Sequence, residues 1–199
     1  MPAYAYLIVA IGVIVWFYPF VPAHRGTKAA SVVNSRSRWG LLLQFLAFAL
    51  LWQGHFWERS LPIWRAAVSV IFFFLAAILS WTSSRALAGQ LRVDAALGAD
   101  HRLVRSGPYA LVRNPIYSSM LLVLCATGVV IAGWKWFFAA LVLCIIGTEI
   151  RVRIEERLLA SHFGEQFQAY KRSVPAYLPF LSKKFLPSSG PQPPKSSAG

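Results

Sequence analysis

The sequence is poor in charged residues, in acidic residues and in cysteine. Only 14% of its 199 residues are charged, and seven acidic residues stand against twenty basic ones. Soluble domains carry about 25% charge. The two cysteines, Cys125 and Cys144, form no CxxC motif and show no metal-ligand spacing, so we interpret them as packing residues. No G-x-G-x-x-G loop follows a strand pattern, which excludes a soluble methyltransferase of the Rossmann type.

Long apolar runs make up much of the chain instead. It is 57% hydrophobic, with a mean hydropathy of +0.53. A membrane-spanning helix needs ~20 apolar residues. Uncharged runs of about that length cover residues 3–23, 39–57, 66–84 and 116–134. A fifth run starts at Trp136 and meets Glu149 after thirteen residues. We therefore predict an all-α fold, a polytopic membrane helical bundle of about five transmembrane helices.

The basic residues predict the orientation of this bundle. If the N-terminus is outside, the inside segments 24–38, 85–115 and 149–199 hold four, five and eight Lys or Arg residues. The outside segments, residues 58–65 and Lys135, hold two and one. The positive-inside rule then makes the protein a multi-pass integral membrane protein with a cytoplasmic C-terminus. We interpret the net charge of +13 as a signal that sets the membrane topology and as a source of attraction to anionic lipid. Nucleic-acid binding is disfavoured, because the basic residues are scattered between the spans.

The chain is expected to form one domain. No positive residue precedes the first apolar run, so we predict a retained span and not a signal peptide. A single membrane domain over residues 1–186 accounts for the pattern, and residues 187–199, rich in Pro and Ser, are predicted to be a disordered tail. The fifth helix is predicted to continue to about His162, to break at Gly164 and to be followed by a short amphipathic helix over residues 165–172.

Two polar motifs flank the last apolar hairpin. Residues 101–117 read HRLVRSGPYALVRNPIY, and residues 149–179 read EIRVRIEERLLASHFGEQFQAYKRSVPAYLP. About thirty mostly apolar residues with one charge, Lys135, lie between them. Arg151 and Glu155 share one face of the predicted fifth helix. Ionisable groups beside a membrane tend to be functional, so the motifs indicate a site at the membrane surface.

Each residue of these motifs also has an ordinary structural interpretation. Tyr109 and Tyr117 are residue types common at membrane interfaces, and Arg113 is a possible topology signal. His101 is a possible loop histidine, and the helix charges are possible solvated ion pairs. Their combination at the membrane face that also carries Glu155 favours a binding site for a polar cofactor with a cationic centre.

The same stretches resemble a known family. GPYALVRNPIY, followed by EIRVRIEERLLASHFGEQFQAYKRSVPAYLPF, is similar to the isoprenylcysteine carboxyl methyltransferase (ICMT) family of integral membrane methyltransferases. That family shows G-x-Y-x-x-x-R-H-P-x-Y, a membrane hairpin, R-x-x-x-E-E, F-G-x-x-Y-x-x-Y and V-P-x-x-L-P. The likeness covers roughly residues 98–181, whereas residues 1–90 match only as generic membrane helices. The related phospholipid methyltransferases share the broad pattern.

The resemblance implies a cytoplasmic cofactor-binding region for S-adenosyl-L-methionine and a lipophilic or lipid-anchored acceptor, with membrane lipids as neighbours and no metal or nucleic acid. Arg151 would bind the acceptor and serve catalysis together with Arg113. Asn114 replaces the family's histidine, and an asparagine cannot become cationic or act as a base. The cofactor would be held by His101, Arg102, Leu103, Val104, Tyr109, Asn114, Pro115, Ile116, Tyr117 and Glu155.

The acceptor and the reaction have alternatives. The carboxylate of an isoprenylcysteine-like or other amphiphilic molecule is already ionised and needs no base. The amine of a phospholipid such as a phosphatidylethanolamine would need Glu156 as a base or an unprotonated acceptor. An NADPH-dependent sterol-type membrane reductase and a non-catalytic relative are the rival interpretations. A compact five-span chain looks more like the bacterial and archaeal members, which predicts a bacterial inner or plasma membrane.

Overall fold

The described chain is mainly helical. The computed structural model describes residues 1–23, 32–33, 37–58, 60–87, 96–97 and 103–178. Its helices are α1 (Ala3–Phe17), α2 (Phe20–Ala23), α3 (Ser37–Leu50), α4 (Ile63–Leu87), α5 (Pro115–Ile131), α6 (Trp134–Phe163) and α7 (Glu165–Ser173). Short 3₁₀ turns cover Phe56–Glu58 and Gly107–Ala110. The predicted helical character is confirmed, and the predicted tail over residues 187–199 lies outside the described residues.

One strand pairing accompanies the helices. β1 (Val32–Val33) pairs antiparallel with β2 (Ala96–Leu97), so that Val32 faces Leu97 and Val33 faces Ala96. The all-α prediction did not include this ladder, because two residues are too few to show the alternating apolar pattern by which strands are found.

The helix bounds differ from the apolar runs in the first half of the chain. The run over residues 3–23 is interrupted by a turn at Tyr18 and Pro19, since a proline removes a backbone donor from a helix interior. α3 stops at Leu50, and the chain turns through Gly54, whose φ of +83° favours glycine. Among the described helices, α4 alone is long and apolar enough to cross a membrane, while α1, α3 and α5 are shorter apolar helices.

The last two helices follow the prediction closely. α6 runs without a break from its apolar half into the charged segment that begins at Glu149, and it ends at Phe163. Gly164, with a φ of +52°, separates α6 from α7 in a conformation that side chains other than glycine rarely adopt. The charged half of α6 and the polar α7 are therefore joined by a sharp turn, which places both at one end of the bundle.

Helix pairs build the interior. α4 packs along α5, α3 packs along α6, and α1 packs against α4 and α5. One buried apolar cluster includes Val9, Phe73 and Val123, and a second includes Leu51 and Phe137. The outer faces carry many exposed large apolar side chains, including Ile14, Phe45, Phe74, Phe138 and Val142. Large apolar faces of this kind mark contact with membrane or with partner proteins.

The α5–α6 hairpin has a closed end, where α5 is followed by α6, and an open end, where the two polar motifs meet. At its closed end, Arg65 of α4 donates through Nε to the carbonyl of Val129 at 2.6 Å and through Nη2 to that of Ala132 at 3.3 Å. These carbonyls belong to the end of α5, where a cation is favoured by the helix dipole. The first turn of α5 and the charged half of α6 consequently lie together at the opposite end.

Candidate active site

Three side chains form a polar cluster where α5 begins beside α6. Arg151 donates through Nε to the hydroxyl of Tyr117 at 2.8 Å, and its Cζ lies 5.6 Å from the centre of the Tyr117 ring. Tyr117 donates to Oε1 of Glu155, and Nη2 of Arg151 lies 3.6 Å from the same oxygen. Arg151 is 5% exposed, whereas the Glu155 side chain is 28% exposed. The cluster thus joins a buried cation to a carboxylate whose side chain is partly exposed.

Local sequence explains how this cluster is assembled. Pro115 is the first residue of α5, a position that suits proline because its missing N–H would be unpaired there. Tyr117 therefore lies in the first turn of α5, where it is buried against α6. Arg151 and Glu155 are four residues apart on α6 and so lie on one helix face. The cluster joins the two polar motifs, which are far apart in sequence.

Tyr109 belongs to the 3₁₀ turn that precedes α5. Gly107, with a φ of +61°, opens this turn, and the Tyr109 ring is buried. Burial raises the pKa of the Tyr109 phenol, and electrostatic interaction with Tyr170 and Glu155 raises it further. Tyr109 is therefore a neutral phenol at physiological pH, in the electrostatic range of the Glu155 carboxylate. Tyr170 of α7 donates to the Tyr109 carbonyl at 2.6 Å and holds the turn in place.

Arg113 and Glu156 form a second polar group. Nη2 and Nε of Arg113 lie 2.8 and 3.1 Å from Oε1 of Glu156, and both side chains are almost buried. Nη1 of Arg113 donates to the carbonyls of Lys171 at 2.9 Å and Val174 at 2.5 Å. The Lys171 ammonium binds Oε2 of Glu156 at 2.7 Å. Arg113 thus connects α6 to the end of α7. Through these contacts it positions the two helices relative to each other.

The segment after α7 lies along the start of α5. The backbone N–H of Asn114 donates to the carbonyl of Ala176 at 3.0 Å, and its side-chain Nδ2 donates to the same oxygen at 3.3 Å. The Tyr177 hydroxyl donates to Glu149 at 2.8 Å. Burial, and this bond to Glu149, raise the pKa of Tyr177. The amide of Asn114 therefore serves to hold the C-terminal segment, a role that requires no imidazole.

The remaining predicted residues lie around these groups. Leu103 and Val104 are half-buried and precede the 3₁₀ turn, while Pro115 is buried and Ile116 half-buried at the start of α5. His101 and Arg102 lie outside the described residues. The structure therefore brings Tyr117, Arg151 and Glu155 into direct contact and places the other described residues on the same polar end.

Comparison with known proteins identifies the family. A family model described as phospholipid methyltransferase matches residues 64–166, slightly more than half of the chain. The chain belongs to the phospholipid methyltransferase family. The match contains Tyr109, Tyr117, Arg151 and Glu155, so the polar cluster lies within the part of the chain that the family shares.

Curated relatives of this family member carry several activities in their names. The chain is 34% identical to a protein-S-isoprenylcysteine O-methyltransferase of Xenopus laevis, over 41% of this chain and 28% of the relative. It is 30% identical to a methanethiol S-methyltransferase of Crocosphaera subtropica, over 38% of this chain and 29% of the relative. It is 35% identical to the cobalt-zinc-cadmium resistance protein CzcN of Cupriavidus metallidurans, over 42% and 38%. Each match therefore covers well under half of the relative.

Sequence reasoning missed the contribution of α3. The family match begins at residue 64, and the apolar run over residues 39–57, which overlaps α3, predicts only a generic span. Gly40 of α3 nevertheless lies against the side-chain stem of Arg151. The spacing of small and polar residues along α3 does carry a signal. These residues are Ser37, Gly40, Gln44 and Ala47, all of which are buried.

Proposed function

We propose that this family member is a membrane methyltransferase that transfers a methyl group from S-adenosylmethionine to a lipophilic acceptor. The preferred acceptor is the carboxylate of an isoprenylcysteine-like or other amphiphilic molecule. The observation that carries this proposal is the buried Arg151 held beside Tyr117 and Glu155 within the family-matched region. The names of the relatives support methyl transfer and include isoprenylcysteine as one acceptor.

The residues of the site fit S-adenosylmethionine. When bound, this cofactor supplies an electrophilic methyl group on a positively charged sulfonium. The partly exposed Glu155 carboxylate is suited to an amino or hydroxyl group of the cofactor, and the rings of Tyr109 and Tyr117 are suited to its cationic region. The residues that would hold it are His101, Arg102, Leu103, Val104, Tyr109, Asn114, Pro115, Ile116, Tyr117 and Glu155.

The contacts of Arg151 and Glu156 favour a carboxylate acceptor. A guanidinium can orient a carboxylate through two parallel hydrogen bonds, and Arg151 is the buried guanidinium beside the proposed cofactor site. An amine acceptor would need either Glu156 as a base or an amine that arrives unprotonated. Arg113 binds Oε1 of Glu156 at 2.8 Å and Lys171 binds Oε2 at 2.7 Å, so both carboxylate oxygens are occupied. This arrangement disfavours Glu156 as the base for a phospholipid amine.

We further propose the five-span topology with a cytoplasmic C-terminus. The support is the excess of Lys and Arg in the segments assigned to the inside, together with the exposed apolar faces of α1, α3, α4 and α6. The site would then lie at the cytoplasmic ends of the fifth and fourth spans, α6 and α5. An acceptor could keep its hydrophobic tail in the bilayer while its polar end reaches Arg151.

Calorimetry on the detergent-purified protein tests the proposal. We expect saturable binding of S-adenosylmethionine and no binding of NADPH. Methyl transfer from labelled cofactor is then measured with N-acetyl-S-farnesylcysteine and with phosphatidylethanolamine, and we expect only the first to be labelled. Binding of NADPH alone would instead support the reductase, and labelling of phosphatidylethanolamine alone would show that the acceptor assignment is wrong.

A further inference from the structure

We infer that α3 forms one wall of the Arg151 site and that Gly40 is a positioning residue for Arg151. α3 lies outside the family-matched residues 64–166, so the family pattern assigns it no role. The inference rests on the proposed function for its effect on turnover. The contact between α3 and Arg151 is a separate matter, which can be tested without any substrate.

The packing of α3 against α6 is built on small residues. Along α3 the buried positions follow a spacing of three and four residues, which keeps them on one face. α6 presents a similar buried face, made of Ala140, Cys144, Gly147, Thr148 and Arg151. Small side chains at a helix interface let the two backbones approach closely, as is common between membrane helices.

Gly40 brings the backbone of α3 against Arg151. A Cβ atom at Gly40 would lie 2.6 Å from Cγ of Arg151 and 2.6 Å from the carbonyl oxygen of Gly147. A Cβ atom at Gly147 would in turn lie 2.7 Å from the carbonyl oxygen of Gly40. All three distances are too short for real contacts. The absence of a side chain at Gly40 therefore leaves the space that the stem of Arg151 occupies.

A buried hydrogen bond fixes how α3 and α6 are aligned. Gln44 donates through Nε2 to Oγ1 of Thr148 at 2.9 Å, and both residues are almost completely buried. Gln44 is one helical turn beyond Gly40, and Thr148 precedes Arg151 by three residues. A shift of α3 along α6 would break this bond and leave buried polar atoms unpaired, which is costly in an apolar environment.

Arg151 is therefore restrained from two sides. Its Cγ lies against Gly40 of α3, and its Nε donates to Tyr117 of α5. The stem and the head of the side chain are thus held by different helices, which limits the rotamers available to the guanidinium. An acceptor-binding group needs such restraint, because a displacement of 1 Å can cost about a hundredfold in rate.

The decisive variant is Gly40→Ala, with Gly12→Ala as the matched control. The added methyl of Gly12→Ala would crowd the ring of Phe73 between α1 and α4, so this variant also overpacks a helix interface. The first measurement is labelling of Arg151 by phenylglyoxal in detergent, read by peptide mass spectrometry. We expect phenylglyoxal to label Arg151 several-fold faster in Gly40→Ala than in the wild-type protein. In Gly12→Ala, Arg151 should be labelled at the wild-type rate.

The second measurement is steady-state methyl transfer to N-acetyl-S-farnesylcysteine. We expect kcat of Gly40→Ala to fall roughly ten- to hundredfold, with the Kd for S-adenosylmethionine unchanged within about twofold. A merely structural defect would weaken cofactor binding together with turnover. Gly12→Ala should retain both values.

The outcomes separate this inference from the proposed function. If the unmodified protein neither binds S-adenosylmethionine nor transfers methyl groups, the proposed function fails, and the labelling of Arg151 still decides the role of Gly40. If the protein is active and Gly40→Ala keeps both its turnover and its slow labelling, the inference is overturned while the function stands. Should Gly40→Ala fail to fold, Thr148→Val replaces it, since it removes the partner of Gln44 without adding volume. Faster Arg151 labelling in Thr148→Val supports the inference, and an unchanged rate contradicts it.

Discussion

Arg151 of α6 donates to the hydroxyl of Tyr117 in the first turn of α5, with 2.8 Å between Nε and the phenolic oxygen. The same hydroxyl donates its own proton to Glu155. Tyr117 is therefore the residue through which a buried cation and a partly exposed carboxylate are connected. Such networks are sensitive to the loss of a single member, because the remaining buried groups are left without partners.

Tyr117→Phe tests this connection. The ring and its contact with Arg151 remain, whereas the acceptor for Arg151 and the donor to Glu155 are lost. Since hydrogen bonds to charged groups contribute about 1.5–3 kcal/mol, we expect the free energy of unfolding to fall by about that amount. We also expect turnover to fall by at least about tenfold. Thermal unfolding and methyl transfer measure the two effects. Tyr18→Phe, at an exposed tyrosine, is the control, and equal behaviour of the two variants would contradict the prediction.

Glu155→Gln tests the cofactor assignment. The substitution keeps the size of the side chain and removes its negative charge, which would attract the cationic cofactor. We expect S-adenosylmethionine affinity to fall by at least about tenfold in calorimetry, because charged hydrogen bonds are roughly twice as strong as neutral ones. Glu165→Gln, at an exposed carboxylate of α7, should retain normal affinity. Normal binding by Glu155→Gln would show that the site assignment is wrong.

Arg151→Lys separates acceptor binding from cofactor binding. A lysine keeps the positive charge but lacks the planar fork of donors that matches a carboxylate. We expect unchanged S-adenosylmethionine affinity, a raised KM for N-acetyl-S-farnesylcysteine and a reduced kcat. Arg153→Lys, on the exposed side of the same helix, provides the control. If Arg151→Lys loses cofactor binding and turnover to the same extent, Arg151 has no separate role toward the acceptor.

These residues also show how far the sequence alone predicts the site. The spacing of Arg151 and Glu155 places them on one helix face, and the Asn114-Pro115 pair predicts where α5 begins, so the central cluster follows from local rules. The partners of Arg113 do not follow from such rules, because Glu156 lies on another helix, α6, and Val174 reaches Arg113 only after the turn at Gly164. Gly40 is less predictable still, because its contact with Arg151 depends on how two distant helices pack. α1 and α3 end before their apolar runs do, because the chain turns near Pro19 and Gly54. Hydropathy alone does not predict these turns.

Glu156→Gln tests the ion pairs of Glu156 with Arg113 and Lys171, which together form a clamp on α7. The substitution weakens both the Arg113 and the Lys171 ion pairs, which are largely shielded from water on the Glu156 side. Breaking one partner of a buried pair costs about 3–5 kcal/mol, and partial exposure here should reduce that cost. We expect faster hydrogen exchange across α7 and a lower unfolding temperature. Glu165→Gln breaks an exposed pair with Arg172 and should change neither, since exposed pairs contribute little. Unchanged exchange in Glu156→Gln would contradict the clamp.

Tyr170 predicts a loss of stability at alkaline pH. Burial is the main cause that raises its pKa to about 12. A tyrosine in the unfolded chain has a pKa of about 10. Below pH ~10 both states hold the proton, whereas between pH ~10 and pH ~12 only the folded state holds it, so the free energy of unfolding falls as pH rises through this window. Denaturant unfolding in detergent across the window measures the slope.

Tyr170→Phe lacks the hydrogen bond to the Tyr109 carbonyl and should be less stable at neutral pH, by about 1 kcal/mol, yet lose less stability on alkalinisation. If the free energy of unfolding of Tyr170→Phe falls with pH as steeply as that of the wild-type protein, Tyr170 does not contribute to the loss. The buried phenols of Tyr109 and Tyr177 would then be the source of the loss.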